Sequence, residues 1–173
     1  METIECISSR ASIRSFKTDD IPENVLKAVI GAAVQAPSAG NVQDWEFIIV
    51  RNSETKRLLS EAAFGQDFIS KAPVVIVICS DLKTISSAYG ERGKNLYSIQ
   101  DTAAAAQNMM LAACDLGLGT CWVGAFDEEM VRKILSIPSY VRPLVIIPIG
   151  YPAYKPKKPK RKGIDKVVHK EKY

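Results

Sequence analysis

The sequence predicts one domain that mixes helices and strands, and three stretches carry this prediction. Residues 22–34 form an amphipathic helix, because their apolar side chains recur at i, i+1, i+4, i+5, i+8 and i+9. Residues 74–79 are six continuous apolar residues, the pattern of a strand buried on both faces. Residues 98–116 predict the longest helix, which carries almost no charge after Asp101. A chain of 173 residues that is 47% apolar is long enough for one domain with a full core.

Shorter elements fill the rest of the chain. Capping side chains predict three further helices, with caps at Thr3, at Asn52 or Ser53, and at Asp127. Two further strands are predicted over residues 47–50 and 144–149. Residues 80–97 show no clear period, so we expect a mobile cover there rather than packed structure.

Composition excludes several classes of protein. No apolar run approaches the roughly 20 residues of a membrane span, and residues 1–10 lack the basic-then-apolar layout of a signal peptide, so we expect a cytoplasmic protein without a membrane partner. The four cysteines form no Cys-x-x-Cys pair, and His169 is the single histidine. The sequence therefore predicts buried thiols, with neither a disulfide framework nor a metal site.

Basic charge is concentrated at the end of the chain. Residues 151–173 hold nine Lys or Arg and two acids, a net charge of +7, which leaves residues 1–150 at −3 within the total of +4. Such a tail can bind nucleic acid, but the body is mildly acidic and lacks the interleaved aromatic and basic residues that stack bases. We expect no nucleic-acid partner, and binding of nucleic acid by the tail stays as an alternative.

Residues 10–14, Arg-Ala-Ser-Ile-Arg, are the first candidate binding segment. In an extended chain, Arg10, Ser12 and Arg14 lie on one face while Ala11 and Ile13 point the other way. Two guanidinium groups and a hydroxyl on one face suit a phosphate monoester. A solvated basic face is the alternative interpretation.

A loop of small polar residues, 36–44, joins the first long helix to a strand. Ser38, Asn41 and Gln43 supply short donors and acceptors along a constrained backbone path, against which a planar ligand can lie. A structural turn is the alternative, and Trp45 is predicted to pack in the core.

Two later stretches suggest a partner and a close ligand contact. A helix as apolar as residues 98–116 indicates that a second subunit covers part of it, with a core helix in a monomer as the alternative. The glycines at 117, 119 and 124 allow backbone N–H groups to approach a ligand closely. Their spacing is wrong for a nucleotide-binding Gly-x-Gly-x-x-Gly motif.

Five motifs, taken in order, resemble the FMN-dependent nitroreductase family in its short form. They are Arg-Ala-Ser-Ile-Arg-Ser-Phe at 10–16, Ala-Pro-Ser at 36–38 through Gln43 and Trp45, Gln-Asp-Thr-Ala-Ala-Ala at 100–105, Leu-Gly-Leu-Gly-Thr-Cys-Trp-Val-Gly at 116–124, and Ile-Gly-Tyr-Pro at 149–152. The resemblance covers nearly the whole chain. One of these motifs alone is weak, but five in sequence are strong.

The resemblance implies an α+β fold, a three-layer α/β/α sandwich with a mixed, mainly antiparallel sheet. It further implies a homodimer whose C-terminal arms are exchanged between subunits. On this basis residues 1–152 are an FMN-binding nitroreductase-like domain, and residues 153–173 are a basic arm that embraces the partner subunit.

The resemblance also implies the site. Arg10 and Ser12 would hold the FMN phosphate side, Arg14 would lie at the flavin N1/O2 edge, and the Gly124 N–H would lie near N5, which makes Arg14 and Gly124 the catalytic candidates. Further FMN-binding candidates from the same subunit are Ala11, Gln66, Trp122, Val123, Ala125, Lys160, Arg161 and Lys162. Those from the other subunit are Pro37, Ser38, Ala39 and Asn41.

The activity that the resemblance implies is ping-pong electron transfer from NAD(P)H, through FMN, to a nitroaromatic, a quinone or a free flavin. A non-catalytic FMN carrier or sensor is the alternative. The chain departs from the family pattern at three places: Asp44 stands where proline is usual, Ala39 where serine is common, and Gly65-Gln66 where an asparagine often contacts the flavin.

Overall fold

The computed structural model describes residues 1–154 and 156–173. Lys155, which belongs to the predicted arm, lies outside the described residues. The helices are α1 (Thr3–Ser9), α2 (Glu23–Ala33), α3 (Ser53–Ala62), α4 (Phe68–Lys71), α5 (Leu82–Arg92), α6 (Ser98–Asp115) and α7 (Glu128–Ile134), with short 3₁₀ turns at Ala39–Asn41 and Ile164–Lys166 and a π-helical turn at Gly93–Tyr97. The strands are β1 (Trp45–Val50), β2 (Val74–Asp81), β3 (Gly119–Thr120) and β4 (Val141–Gly150).

The four strands form one antiparallel sheet in the order β1-β2-β4-β3. Trp45 lies opposite Ser80, and Val74 lies opposite Ile149. An isolated parallel bridge joins Ser12 to Thr120 on β3, so the N-terminal segment runs beside this edge of the sheet. β1 forms the other edge.

Helices cover both faces of the sheet, which gives three layers. On one face, alternate residues of β2 and β4 pack with α2 and α6. On the other face, the intervening residues pack with α3, α4 and α7. Val74 through Ser80 are buried on both faces, so the strand predicted from the continuous apolar run is confirmed. The predicted α+β three-layer architecture is confirmed as well.

The prediction that residues 80–97 lack packed structure was wrong, because they form α5 and the π-helical turn. Their mobility as a cover stays a prediction. Asp81 caps α5, because its carboxylate accepts hydrogen bonds from the N–H groups of Lys83 and Thr84. Ile85 is the one fully buried residue of this helix, which bends at Gly90. A surface helix with a single buried residue has no apolar period, and the sequence therefore gave no helical signal.

Three helix caps were predicted from the sequence, and two of them are present. The caps predicted at Asn52 and Asp127 are confirmed, since their side chains accept from Thr55 N–H and Met130 N–H. The cap predicted at Thr3 was wrong: Thr3 is the first residue of α1, and Glu2 before it makes no capping hydrogen bond. Among the described helices, none is both long and apolar enough to cross a membrane.

Candidate functional site

Residues 10–14 are fixed against β3 by one backbone hydrogen bond and one buried side chain. Ile13 N–H donates to Thr120 O at 2.9 Å, and the Ile13 side chain is 6% exposed. Ile13 packs on Gly119, where a Cβ would lie 2.6 Å from Ile13 Cγ1. The predicted alternation holds in part: Ile13 points into the core, while Arg10, Ser12 and Arg14 line a cavity on the other side. Ala11 was predicted to point away with Ile13, and this was wrong, because Ala11 lines the same cavity as the two arginines.

This first cavity has a volume of about 680 Å³ and lies between the N-terminal segment and the C-terminal arm. Its basic lining residues are Arg10, Arg14, Lys157, Lys158 and Arg161, and none of the described residues that line it is acidic. Ala11, Ser12 and Tyr154 also line it. Charge of one sign in a cavity focuses the field and favours an anion.

The arm supplies one of the three cations that the sequence suggested and two others. Arg161 lines the first cavity, whereas Lys160 and Lys162 are outside its lining. Lys157 and Lys158, which sequence reasoning missed, take their place. Pro156 and Pro159 flank these two lysines and line the same cavity, and this Pro-Lys-Lys-Pro run is a signal that could have identified them.

A buried thiol lies behind the basic segment. Cys121 is 2% exposed, and burial raises the pKa of its thiol, while the neighbouring Arg14, Ser12 and Arg10 lower it. Arg14 itself is exposed, with its guanidinium carbon 5.8 Å from the centre of the Phe68 ring. Sequence analysis did not connect Cys121 with this site, because nothing local indicates that residues 12 and 121 meet.

The strip of residues 122–125 lies beside β4. Val123 exchanges two backbone hydrogen bonds of 3.0 Å with Ile146, and its side chain is buried, so Val123 anchors the strip and presents no side chain outward. Trp122, Gly124 and Ala125 are exposed. The Gly124 N–H donates to no acceptor among the described residues. A free backbone donor is therefore presented at the surface.

Gln66 fixes the end of this strip. Its Nε2 donates to Ala63 O at 3.0 Å and to Ala125 O at 3.2 Å. In this arrangement the Gln66 amide joins the end of α3 to residues 124–125 and is already occupied by backbone carbonyls.

The remaining candidates lie on a different part of the surface. Pro37, Ser38 and Ala39 line a second, open cavity of about 490 Å³, together with Gly40, Tyr89, Tyr97, Gln100, Asp101 and Ala104. This cavity shares no lining residue with the first. Asn41 is exposed beside it, and its carbonyl accepts from Gln43 Nε2 at 3.3 Å. Within one chain, then, the candidates that line cavities form two separate half-sites, and Gln66 with residues 122–125 lines neither cavity.

The two tyrosines of the second cavity come from the segment that had no sequence signal. Tyr89 and Tyr97 pack edge to face with ring centres 5.2 Å apart. Arg92 Nε donates to the Tyr97 hydroxyl at 2.9 Å. The two residues lie on different helical segments, eight positions apart, and no sequence pattern points to this pair.

The sequence model of the Nitroreductase family matches residues 7–66 and 61–151, which include both half-sites apart from the arm. The chain belongs to the nitroreductase family. It is 33% identical over 176 residues to a Bacillus subtilis protein named FMN reductase (NADPH), covering 92% of this chain and 71% of that one. It is 31% identical over 186 residues to a Thermus thermophilus protein named NADH dehydrogenase, covering 92% and 91%.

A solved structure extends the similarity to three dimensions. The NADPH:FMN oxidoreductase of Vibrio harveyi, complexed with NAD⁺, superposes with a TM-score of 0.91 at 27% identity, over 99% of this chain and 77% of that one. This nitroreductase-family chain therefore has the family fold along its whole length. The family named by the resemblance is confirmed.

Proposed function

We propose that this nitroreductase-family protein is an FMN-dependent oxidoreductase that uses NAD(P)H to reduce nitroaromatics, quinones or free flavins by ping-pong turnover. The observation that carries the proposal is the first cavity, where Arg10, Ser12, Arg14 and Arg161 converge without any acidic residue. Relatives named FMN reductase and NAD(P)H nitroreductase support the same activity.

The residues present fit FMN. Guanidinium groups match phosphate oxygens in pairs, so Arg10 and Arg161, with the Ser12 hydroxyl, would hold the phosphate. Arg14, on the same face, would place a positive charge at the pyrimidine edge of the flavin. The unpaired Gly124 N–H would serve an acceptor atom of the ring. When bound, FMN supplies the redox chemistry, taking hydride from NAD(P)H and passing electrons to the acceptor.

The chain's own contribution is electrostatic and positional. Arg14 is exposed and rests over Phe68, so its charge is oriented before any ligand arrives. A preorganised positive group stabilises negative charge that develops next to it, without reorganisation at the moment of reaction. Gln66 holds Ala125 O, which keeps the Gly124 donor aimed outward.

A homodimer completes the proposed site. The loop at Pro37–Asn41 lies in the second cavity, apart from the first, so a second copy is needed to bring this loop to a flavin held at Arg10 and Ser12. The apolar residues of the arm, Ile164, Val167 and Val168, are each more than half exposed, and β1 is an unpaired edge. We infer that residues 153–173 cross to the partner and that these apolar side chains are buried there.

A non-catalytic FMN carrier or sensor is the second candidate. The carrier and the enzyme would use the same basic cavity, so the cavity does not discriminate between these two functions. The exposed Trp122, Gly124 and Ala125 favour the enzyme, because an open flavin face is needed for donor and acceptor to take turns. Localisation in the cytoplasm and the absence of a nucleic-acid partner stay predictions.

Absorption spectroscopy of the purified full chain tests the proposal. We expect a yellow protein with one FMN per subunit, bleached under anaerobic conditions by NADH or NADPH and recoloured by a quinone or a nitroaromatic compound. Yellow protein that neither nucleotide bleaches would support the carrier. Colourless protein whose binding to DNA weakens with salt would support nucleic-acid binding by the tail and contradict the proposal.

A further inference from the structure

The loop of residues 37–43 is held in an uncommon backbone shape by one side chain from α6. Gly40, Asn41 and Gln43 all have φ near +55°, in the left-handed region. Ala39 N–H donates to both carboxylate oxygens of Asp101, at 3.1 and 3.0 Å. Asp101 is 6% exposed. Since residues such as asparagine and glutamine adopt positive φ only at a cost, the contact with Asp101 stabilises this shape from outside the loop.

A second buried carboxyl lies where the loop joins β1. Asp44 is 2% exposed, and it stands where the resemblance expects proline. Ser80 Oγ donates a short hydrogen bond to Asp44 Oδ2. Asp44 Oδ1 is buried and receives no hydrogen bond from the described residues. A buried polar atom without a partner needs a physical explanation.

The neighbouring Asp101 supplies that explanation. Asp101 raises the pKa of the Asp44 carboxyl through a side-chain hydrogen bond and through its charge, and two ionised carboxylates cannot bond to each other. A proton on Asp44 Oδ1 turns this atom into a donor to Asp101. The pKa of Asp44 is raised to about 6, and burial is the largest cause. The Ser80 hydrogen bond lowers this pKa, whereas Asp101 raises it further.

We propose that Asp44 carries a proton on Oδ1 and donates it in a hydrogen bond to Asp101, and that this carboxyl pair positions the loop of residues 37–43 for FMN. The inference rests on the proposed function, because it assumes that the loop contacts FMN. Asp44 and Asp101 are positioning residues: both act on FMN through Ala39 and the loop.

The other titratable side chains on the elements around Asp44 and Asp101 have partners elsewhere or carry only a hydroxyl group. The Asp81 carboxylate accepts hydrogen bonds from the first N–H groups of α5. Glu46 is exposed, and its charge raises the pKa of Cys79. Arg92 donates to the Tyr97 hydroxyl, and Tyr89 and Tyr97 bring only hydroxyl groups to the second cavity. No cation compensates the pair among the groups that shift the pKa of Asp44. The proton itself is therefore what neutralises the repulsion.

Loss of the proton should loosen the loop. Two negative carboxylates then repel each other, and Asp101 is driven away from Ala39 N–H. The folded pKa of Asp44 is above its ordinary value of 3.8, so the destabilising charge is absent at low pH and grows as the pH rises from about 4 to about 6. When a flavin and a second copy of the chain cover the cavity, they exclude more water and raise the pKa of Asp44 further. Loss of the Asp44 proton then moves toward neutral pH.

FMN binding measured by flavin fluorescence tests the proposal on the full chain between pH 5 and 8. Asp44→Asn mimics the protonated acid: its Oδ1 accepts from Ser80, and its Nδ2 donates permanently to Asp101. We expect the ratio of wild-type to D44N dissociation constants to rise with pH, by about tenfold for each pKa unit by which FMN shifts the pair. The titration of the FMN phosphate is common to both proteins and cancels in the ratio.

Asp19→Asn, at an exposed carboxyl, is the matched control and should follow the wild type. A ratio that stays constant over this range overturns the proposal. A second readout does not need FMN: ¹³C NMR of the aspartate carboxyls in the wild-type chain should show one buried carboxyl that loses its proton above pH 5. The protection factor of the Ala39 amide, which corrects for base-catalysed exchange, should fall as that proton is lost. All aspartates titrating below pH 5 overturns the proposal, even if D44N fails to fold.

The two failures are distinguishable. A wild-type protein that binds no FMN at any pH refutes the proposed function, whereas a protein that binds FMN with the same pH dependence as D44N refutes only the role of the pair.

Discussion

Ile13 lies directly on Gly119, so close that a Cβ at position 119 would be 2.6 Å from Ile13 Cγ1 and 2.8 Å from its Cβ. This contact sets the distance between the basic segment and β3. Because Ile13 is fixed, its neighbours Ser12 and Arg14 are fixed on the opposite face of the extended chain. The glycine thus controls the first cavity without lining it.

We predict that Gly119→Ala displaces Ile13 and loosens the segment of residues 10–14. Overpacking of this kind costs about 1–3 kcal/mol of unfolding free energy, and the FMN dissociation constant should rise because Arg10 and Ser12 move with Ile13. Gly31→Ala is the control, since Gly31 lies in α2 with no atom within 4 Å of the added Cβ. That change should stabilise the protein by up to about 1 kcal/mol. Urea unfolding and fluorescence titration measure both effects, and equal stability of the two variants would contradict the packing argument.

Removal of the Arg14 charge should lower the midpoint potential of bound FMN and slow its reduction by NADH. A preorganised donor at a developing charge is commonly worth roughly 2.7–4 kcal/mol when it is removed. Arg14→Ala is compared with Lys27→Ala, which removes an exposed positive charge on α2. Spectroelectrochemistry and stopped-flow absorbance give the two quantities. An unchanged potential in Arg14→Ala would show that Arg14 does not act on the flavin.

Within the arm, Arg161 and Lys162 should differ in their effect on FMN affinity. Arg161 lines the first cavity and Lys162 does not, although the two residues are adjacent and equally charged. Arg161→Ala should weaken FMN binding roughly tenfold or more, the expected loss for a hydrogen bond between charged groups. Lys162→Ala should change it little. If the two variants lose affinity equally, the arm acts as a diffuse positive charge.

Truncation separates the two roles proposed for the arm. Deletion of residues 163–173 removes the exposed Ile164, Val167 and Val168 and should weaken the dimer while FMN is retained. Deletion of residues 155–173 also removes Lys157, Lys158 and Arg161 from the first cavity and should release FMN. Sedimentation velocity with detection at the flavin absorbance measures both. A stable yellow dimer after the longer deletion would mean that the tail is a solvated appendage.

The sequence predicted those parts of the fold that depend on neighbours a few residues away. The alternation of Arg10, Ser12 and Arg14 follows from the two-residue period of extended chain, and the continuous apolar run predicted a strand buried on both faces. Capping at Asn52 and Asp127 is equally local, and each was recovered. The family resemblance added the connectivity of these parts, which periodicity alone does not give.

Only the tertiary structure decided which distant residues meet. Asp44 and Asp101 are separated by 57 positions, yet Asp101 raises the pKa of Asp44. Cys121 lies more than 100 positions from Arg14, yet Arg14 lowers the pKa of Cys121. The same holds for Lys157 and Lys158, which line the same cavity as Arg10. The physical reason is that local patterns determine which face a side chain occupies, whereas long-range packing of helices on the sheet determines what that face touches. The pKa values of Asp44 and Cys121 follow from that packing and therefore had no signal in the sequence.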